Sequence, residues 1–130
     1  MVKLVIVDTS ILIEKIRLKV GLFDRLVDDF EEGNCELRTS SIVLTELWMG
    51  ESMNYQRSVD DVEEILRPIL VMTIDGEIGK KAGELIRKKQ ATGFDALIAA
   101  TAIVYKAELA TLNIKHFKNI KGLKLYNENL

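Results

Sequence analysis

Four side chains stand out as able to do chemistry: the carboxylates of Asp8, Glu46 and Asp95, and the imidazole of His116, the chain's one histidine. Asp8 closes a short apolar run that begins at Lys3. If that run is a strand, the carboxylate stands at the edge of a sheet where α/β proteins bind their ligands. Glu46 follows Ile42 and Val43 by four and three residues and precedes Met49 and Gly50 by three and four. On a helix these positions share a face, so Glu46 is expected to point inward, where an unpaired carboxylate is strongly disfavoured. Asp95 opens the most apolar stretch of the chain. Each acid also has a plain structural role open to it: Asp8 as a helix N-cap, Glu46 at the margin of an apolar stripe with its head in water, Asp95 as the N3 partner in a capping box begun by Thr92. The set favours chemistry. Adjacent carboxylates repel and raise one another's pKa unless a cation neutralises them, and an all-oxygen cluster suits Mg²⁺ or Mn²⁺ better than Zn²⁺.

The elements that must position these residues follow from periodicity. Lys3 to Val7 is β-branched and continuously apolar, as expected of a buried strand in a parallel sheet. Apolar residues at spacings of three and four predict helices over Ser10 to Ile16 and Leu22 to Phe30, with Gly33 and Asn34 as a stop. Glu36 to Thr39 reads as a second strand, and Ser40 or Ser41 as the cap of a helix from Ile42 to Met53. A capping-box pattern over Ser58 to Asp61 predicts a helix to about Arg67, ended by Pro68, and Ile69 to Ile74 a third strand. Asp75 begins a helix to about Lys89; Thr92 to Asp95 then precedes a helix from Ala96 to Lys106 that is apolar nearly all round and is expected to lie deep against a sheet. Leu109 to Leu112 and Leu123 to Tyr126 complete the set as short strands. Strands separated by helices imply parallel pairing through right-handed crossovers, hence an α/β fold: a three-layer α/β/α sandwich around a parallel sheet of about five strands.

Composition sets the bounds. At 130 residues, 48% of them apolar, the chain is sized for one domain spanning 1–130. A single proline and eight glycines leave no room for a linker. No apolar stretch reaches the roughly 20 residues of a membrane span, and Val2 to Val7 is too short for a signal-peptide core, so a cytoplasmic protein is expected. Cys35 has no partner cysteine and is expected to serve packing. The net charge of −2 hides a segregation: residues 24–64 carry twelve acids against three bases, residues 80–124 ten bases against three acids. These blocks are either solvated helix faces or, on the basic side, a nucleic-acid footprint.

Three stretches together resemble the PIN-domain family in its VapC-type branch, over almost the whole chain. Val5-Ile6-Val7-Asp8-Thr9-Ser10 is similar to the family's opening strand with its metal-binding Asp, and Ser41 to Glu46 to the helix with its second acid. Phe94-Asp95-Ala96-Leu97-Ile98-Ala99-Ala100-Thr101, followed by Thr111-Leu112-Asn113-Ile114-Lys115-His116-Phe117, resembles the family's third acid and its Thr-x-Asn-x-x-Asp-Phe stretch. The departure is His116, which stands where the family carries a fourth acid.

The resemblance implies a metal-dependent endoribonuclease, the toxin of a VapBC-type toxin–antitoxin pair. Asp8, Glu46 and Asp95 would be catalytic and hold one or two Mg²⁺ or Mn²⁺ ions. His116 would be a weaker metal ligand, a proton carrier, a phosphate contact, or simply a surface residue. Thr9, Ser10, Thr111 and Asn113 would support the ligands, Thr111 and Asn113 by orienting water or Asp95. Lys88, Lys89, Lys115, Lys118 and Lys121 would contact the RNA backbone. Trp48, Tyr55 and Phe117 are expected in core or interface rather than as stacking platforms. A cognate antitoxin and a homodimer are the expected protein partners, the latter because Leu47, Trp48, Met49 and Met53 crowd both sides of one helix. The alternative is a non-catalytic or weakly active PIN domain serving as an RNA-binding or protein-interaction module. An aspartyl-phosphate protein is disfavoured, because Asp8-Thr9-Ser10 lacks the second Asp of a phosphatase motif.

Overall fold

Val5, Ile6 and Val7 are fully buried, and the strand they end, β1 (Lys3–Val7), is the middle of a five-stranded sheet. The structure is a computed structural model describing residues 2–126; the extreme ends of the expected 1–130 domain lie outside the described residues. The other strands are β2 (Cys35–Ser40), β3 (Leu70–Met72), β4 (Glu108–Ala110) and β5 (Lys124–Leu125), in the order β3-β2-β1-β4-β5, with every pairing parallel. Between them run α1 (Thr9–Leu18), α2 (Leu22–Glu31), α3 (Ser41–Trp48), α4 (Gln56–Leu66), α5 (Gly76–Arg87), α6 (Gly93–Val104) and α7 (Ile114–Phe117). The chain moves outward from β1 to β3, then returns to place β4 on the other side of β1. Right-handed crossovers put α1 to α4 on one face and α5 to α7 on the other, completing three layers. The order reverses between β1 and β4. That is the switch point, where such sheets open a crevice at their carboxyl edge.

The core explains why the layers hold. In α6, Ala96, Ile98, Ala99, Ala100, Thr101 and Ala102 are buried, and the helix packs on β1, β2 and β4 with α5 alongside. Small alanines let it approach the sheet closely; each fully buried Ile or Leu in the layers contributes about 1.5–3 kcal/mol. Cys35 is buried in β2 and serves packing. Near it, the Tyr126 hydroxyl donates to Asp29, and burial together with that bond holds the phenol well above its usual range.

Several boundaries depart from the sequence expectation. The helix predicted to reach Met53 ends at Trp48, because Gly50 takes an extended conformation and a 3-10 turn over Glu51–Asn54 follows. The next helix begins at Gln56 rather than with a box at Ser58: the Ser58 N–H bonds the Tyr55 carbonyl at 3.1 Å, and Tyr55 is the N-cap. The third strand is only Leu70–Met72, and a one-turn helix, α7, carries His116.

Candidate active site

Asp8 and Asp95 forgo the capping roles open to them. Asp8 occupies the N-cap position of α1 but makes no side-chain cap bond. Its Oδ2 instead accepts the Ser10 hydroxyl at 2.7 Å and the Thr111 hydroxyl at 2.6 Å, although only 3% of the residue is exposed. Thr92 is the N-cap of α6, again without a side-chain cap bond, and the Asp95 carboxylate faces the His116 ring, Oδ2 to Nδ1 3.1 Å. Glu46 is half-buried on α3, and its Oε1 accepts the Thr9 hydroxyl at 2.7 Å. Two other helices do carry side-chain caps: Ser40 Oγ accepts from the Ile42 N–H and Asp75 Oδ1 from the Ile78 N–H. Capping chemistry is available, and these three acids are not spent on it.

They meet at the switch point. Asp8 follows β1 directly, its N–H bonded to the Ala110 carbonyl at the end of β4, so Thr111 is delivered beside it. The Thr111 hydroxyl also accepts the Asn113 N–H at 2.9 Å, and the Ser10 hydroxyl the Leu112 N–H at 3.0 Å. This ties the loop after β4 to the first turn of α1. Asp8, Thr9, Ser10, Glu46, Asp95 and Asn113 all line one open cleft of about 520 Å³. Within it, burial pushes the Glu46 carboxyl up from its usual range; the Thr9 bond pulls it back, and the charges of Asp8 and Asp95 push it up further. The carboxylates therefore feel one another.

The donor set suits a hard divalent cation: carboxylate and hydroxyl oxygens, mutually repelling charge, and an Asp8 Oδ1 that accepts no side-chain hydrogen bond among the described residues. Among the described residues no three of His, Cys, Asp and Glu form a closed metal-holding group. Mg²⁺ does not need one, since it keeps several waters and is commonly bound through one or two carboxylates.

The remaining expectations sort by position. His116 is more than half exposed and, with Lys89 and Asp95, lines an adjoining cleft of about 280 Å³. Thr111 is held to Asp8, not to Asp95 as the sequence reading had allowed; the group steadying Asp95 is His116. Lys88 pairs with Glu84 at 3.1 Å on an exposed helix face, and Lys115, Lys118 and Lys121 are exposed outside the cleft. Phe117 is core, whereas Trp48 and Tyr55 are exposed. Of the four apolar residues around α3, Leu47 is buried and Met53 packs on the core, leaving Trp48 and Met49 on the surface. Sequence reasoning missed Arg17, which lines the cleft; the signal was its spacing on α1, since Ser10, Ile13, Glu14 and Arg17 fall on one helix face and all line the cleft.

A family model described as the PIN domain matches residues 5–123. The chain belongs to the PIN domain family. Ribonuclease VapC10 of Mycobacterium tuberculosis is 32% identical over 126 residues, covering 93% of this chain and 91% of the relative. Ribonuclease VapC19 of the same species is 27% identical, covering 92% and 96%. Among solved structures, VapBC2 from Rickettsia felis bound to a promoter DNA fragment superposes with a TM-score of 0.82 at 28% identity, covering 95% of this chain and 97% of the other. DNA-bound VapBC from Salmonella typhimurium gives 0.80 at 27% identity, covering 97% and 98%.

Proposed function

We propose that the chain is a metal-dependent endoribonuclease that hydrolyses RNA phosphodiester bonds, the toxin of a VapBC-type pair acting in the cytoplasm. The observation that carries this reading is the convergence of Asp8, Glu46 and Asp95 on one cleft, with Asp8 and Asp95 making no cap bond to their own helices. Similarity to proteins named ribonucleases supplies the substrate class, and similarity to toxin–antitoxin complexes the partner.

Asp8, Glu46 and Asp95 would hold the ion. Mg²⁺ or Mn²⁺ bound there would offset phosphate charge and lower the pKa of the attacking water. The chain's own part is to hold ligands still. Ser10 and Thr111 fix Asp8 through Oδ2 at the wall of the cleft. Thr9 does the same for Glu46 across 37 residues of sequence, and His116 steadies Asp95. Lys89, beside His116, is placed to meet a neighbouring phosphate, with Lys115, Lys118 and Lys121 farther out. Water oxygen forms the new bond to phosphorus as the bond to the 3′-oxygen breaks, giving a 5′-phosphate and a 3′-hydroxyl.

Exposed Trp48 and Met49 support a homodimer through α3, and the acidic faces of α2 and α4 suit a basic antitoxin segment. A second reading, a weakly active RNA-binding or protein-interaction module, is favoured by one observation: a histidine ring rather than a fourth carboxylate stands beside Asp95, Nδ1 to Oδ2 3.1 Å. The test is cleavage of RNA by the purified chain. Mg²⁺ or Mn²⁺ should support it and EDTA should stop it, with 5′-phosphate products. Cleavage persisting in chelator, or ends carrying a 2′,3′-cyclic phosphate, refutes the mechanism; metal-loaded, antitoxin-free protein that binds RNA without cutting it favours the second reading.

A further inference from the structure

The cleft is not alone on its face. Behind its wall lies a second chamber of about 310 Å³ between α1, α3, the 3-10 turn and α4. Ile13, Arg17 and Glu46 line both spaces, so the two form one trough with those three residues as the divide. The chamber's chemistry differs from the cleft's. Its walls are aliphatic, with Ile16, Val62 and the half-buried Met53, whose sulfur is well suited to an aromatic ring. Besides Arg17 and Glu46 at the divide, its polar groups are Lys19, Ser52, Ser58 and Asp61. Gln56 bonds Asp60, leaving the neighbouring Asp61 carboxylate without a side-chain partner among the described residues. Arg17 likewise makes no ion pair among the described residues, whereas Lys15, two positions earlier, pairs with Asp24.

Resting on the nuclease reading, we propose that this chamber receives the nucleobase next to the scissile bond, that Arg17 holds the phosphate between chamber and cleft, and that Asp61 selects guanine. A space near 300 Å³ is at the lower limit for small-ligand pockets and suits one flat ring system. A guanidinium at the divide can make a bidentate phosphate contact, a geometry that the ammonium of Lys19, the other cation lining the chamber, does not offer. On its Watson–Crick edge guanine presents two adjacent N–H donors, matching the two oxygens of one carboxylate. Adenine and cytosine present one donor beside acceptors, and uracil one donor between two carbonyls that a carboxylate repels. With no aromatic side chain in the chamber, discrimination falls to hydrogen bonding rather than stacking.

The test is binding, read without catalysis. Fluorescein-labelled pentaribonucleotides, all adenine except for a central A, G, C or U, are titrated with the full chain in EDTA and followed by anisotropy. The central-G probe should bind at least about fivefold tighter than the others, the range of one good bidentate base contact. Asp61→Asn should reduce that preference below about twofold without weakening the all-adenine probe. Arg17→Gln should weaken all four alike and lower the salt dependence by about one phosphate contact. Equal binding of the four probes, or a guanine preference that survives Asp61→Asn, overturns the proposal; a chamber that seats a protein segment would give that result. The two readings fail separately. Metal-dependent cleavage without base-selective binding removes the chamber assignment alone, and guanine-selective binding without cleavage supports the chamber while removing the nuclease.

Discussion

Thr111→Val tests whether hydroxyls hold Asp8 in place. Thr111 and Asp8 are 5% and 3% exposed, and the Thr111 hydroxyl donates to Asp8 Oδ2 at 2.6 Å. Valine keeps the volume, so the cavity contribution is small, but it removes the donor. A hydrogen bond to a charged group contributes about 1.5–3 kcal/mol, and the Asn113 N–H also loses its acceptor. The Ser10 hydroxyl remains on the same Oδ2 and offsets part of this. The net expectation is a loss of about 2 kcal/mol; at roughly 2.1 cal/mol/K per residue that lowers Tm by about 7 °C for a chain of this length. Thr111→Ser keeps the hydroxyl and gives up one methyl, about 0.8 kcal/mol. Urea denaturation in EDTA of parent, Val and Ser variants separates the two contributions. If Thr111→Val lies within 0.5 kcal/mol of the parent, or is as stable as Thr111→Ser, the hydroxyl does not hold a desolvated carboxylate, and the account of how Asp8 is aimed is wrong.

Glu46→Gln should stabilise the metal-free protein at pH 7: a carboxyl whose folded pKa is raised favours folding below its unfolded value near 4.5 and loses that contribution as pH rises through the folded pKa, so the gain should shrink as pH falls below 4.5. Urea melts in EDTA at pH 4 and pH 7 measure this, and lower stability of the variant at pH 7 would contradict it. His116→Asp should lower the Mg²⁺ concentration needed for half-maximal cleavage, whereas Asp95→Asn should abolish cleavage in a protein still folded by circular dichroism. An unchanged Mg²⁺ dependence means position 116 holds no metal, and full activity in Asp95→Asn sinks the site assignment. Light scattering at micromolar concentration should give twice the chain mass of 14.7 kDa, reduced to one by Met49→Asp; a monomeric parent removes the dimer.

The fold was legible where one physical signal dominated. Val5 to Val7 are continuously apolar because β1 is covered on both faces, and α6 is apolar all round because it lies on three strands. Both patterns follow from burial, and burial is what sequence records best. The end of α3 was not legible. Met49 and Met53 continue the apolar spacing, but Gly50 breaks the helix, leaving Met49 70% exposed while Met53 folds back on the core through a 3-10 turn. Periodicity shows which residues are apolar, and a short extended interruption preserves the count while changing the direction.

The site was legible in a different way. Thr92 to Asp95 reads identically whether the aspartate returns to the backbone of its own helix or turns outward, and only the arrival of His116 from 21 residues away shows that it turns outward. The same holds for Asp8, whose partner Thr111 is 103 positions distant. A local motif therefore states what an acid could do, and the topology decides what it does. Because β4 is laid beside β1 at the switch point, the segment after β4 that carries Thr111, Asn113 and, in α7, His116 must pass the N-terminal ends of α1 and α6. Hydroxyls and imidazole then take the places on Asp8 and Asp95 that backbone N–H groups would have filled. The helix ends give up cap bonds worth about 0.5–2 kcal/mol each, and the carboxylates are left facing an open cleft. A stability-only sequence would have no reason to make that exchange at two helices and to add a half-buried, mutually repelled Glu46 between them.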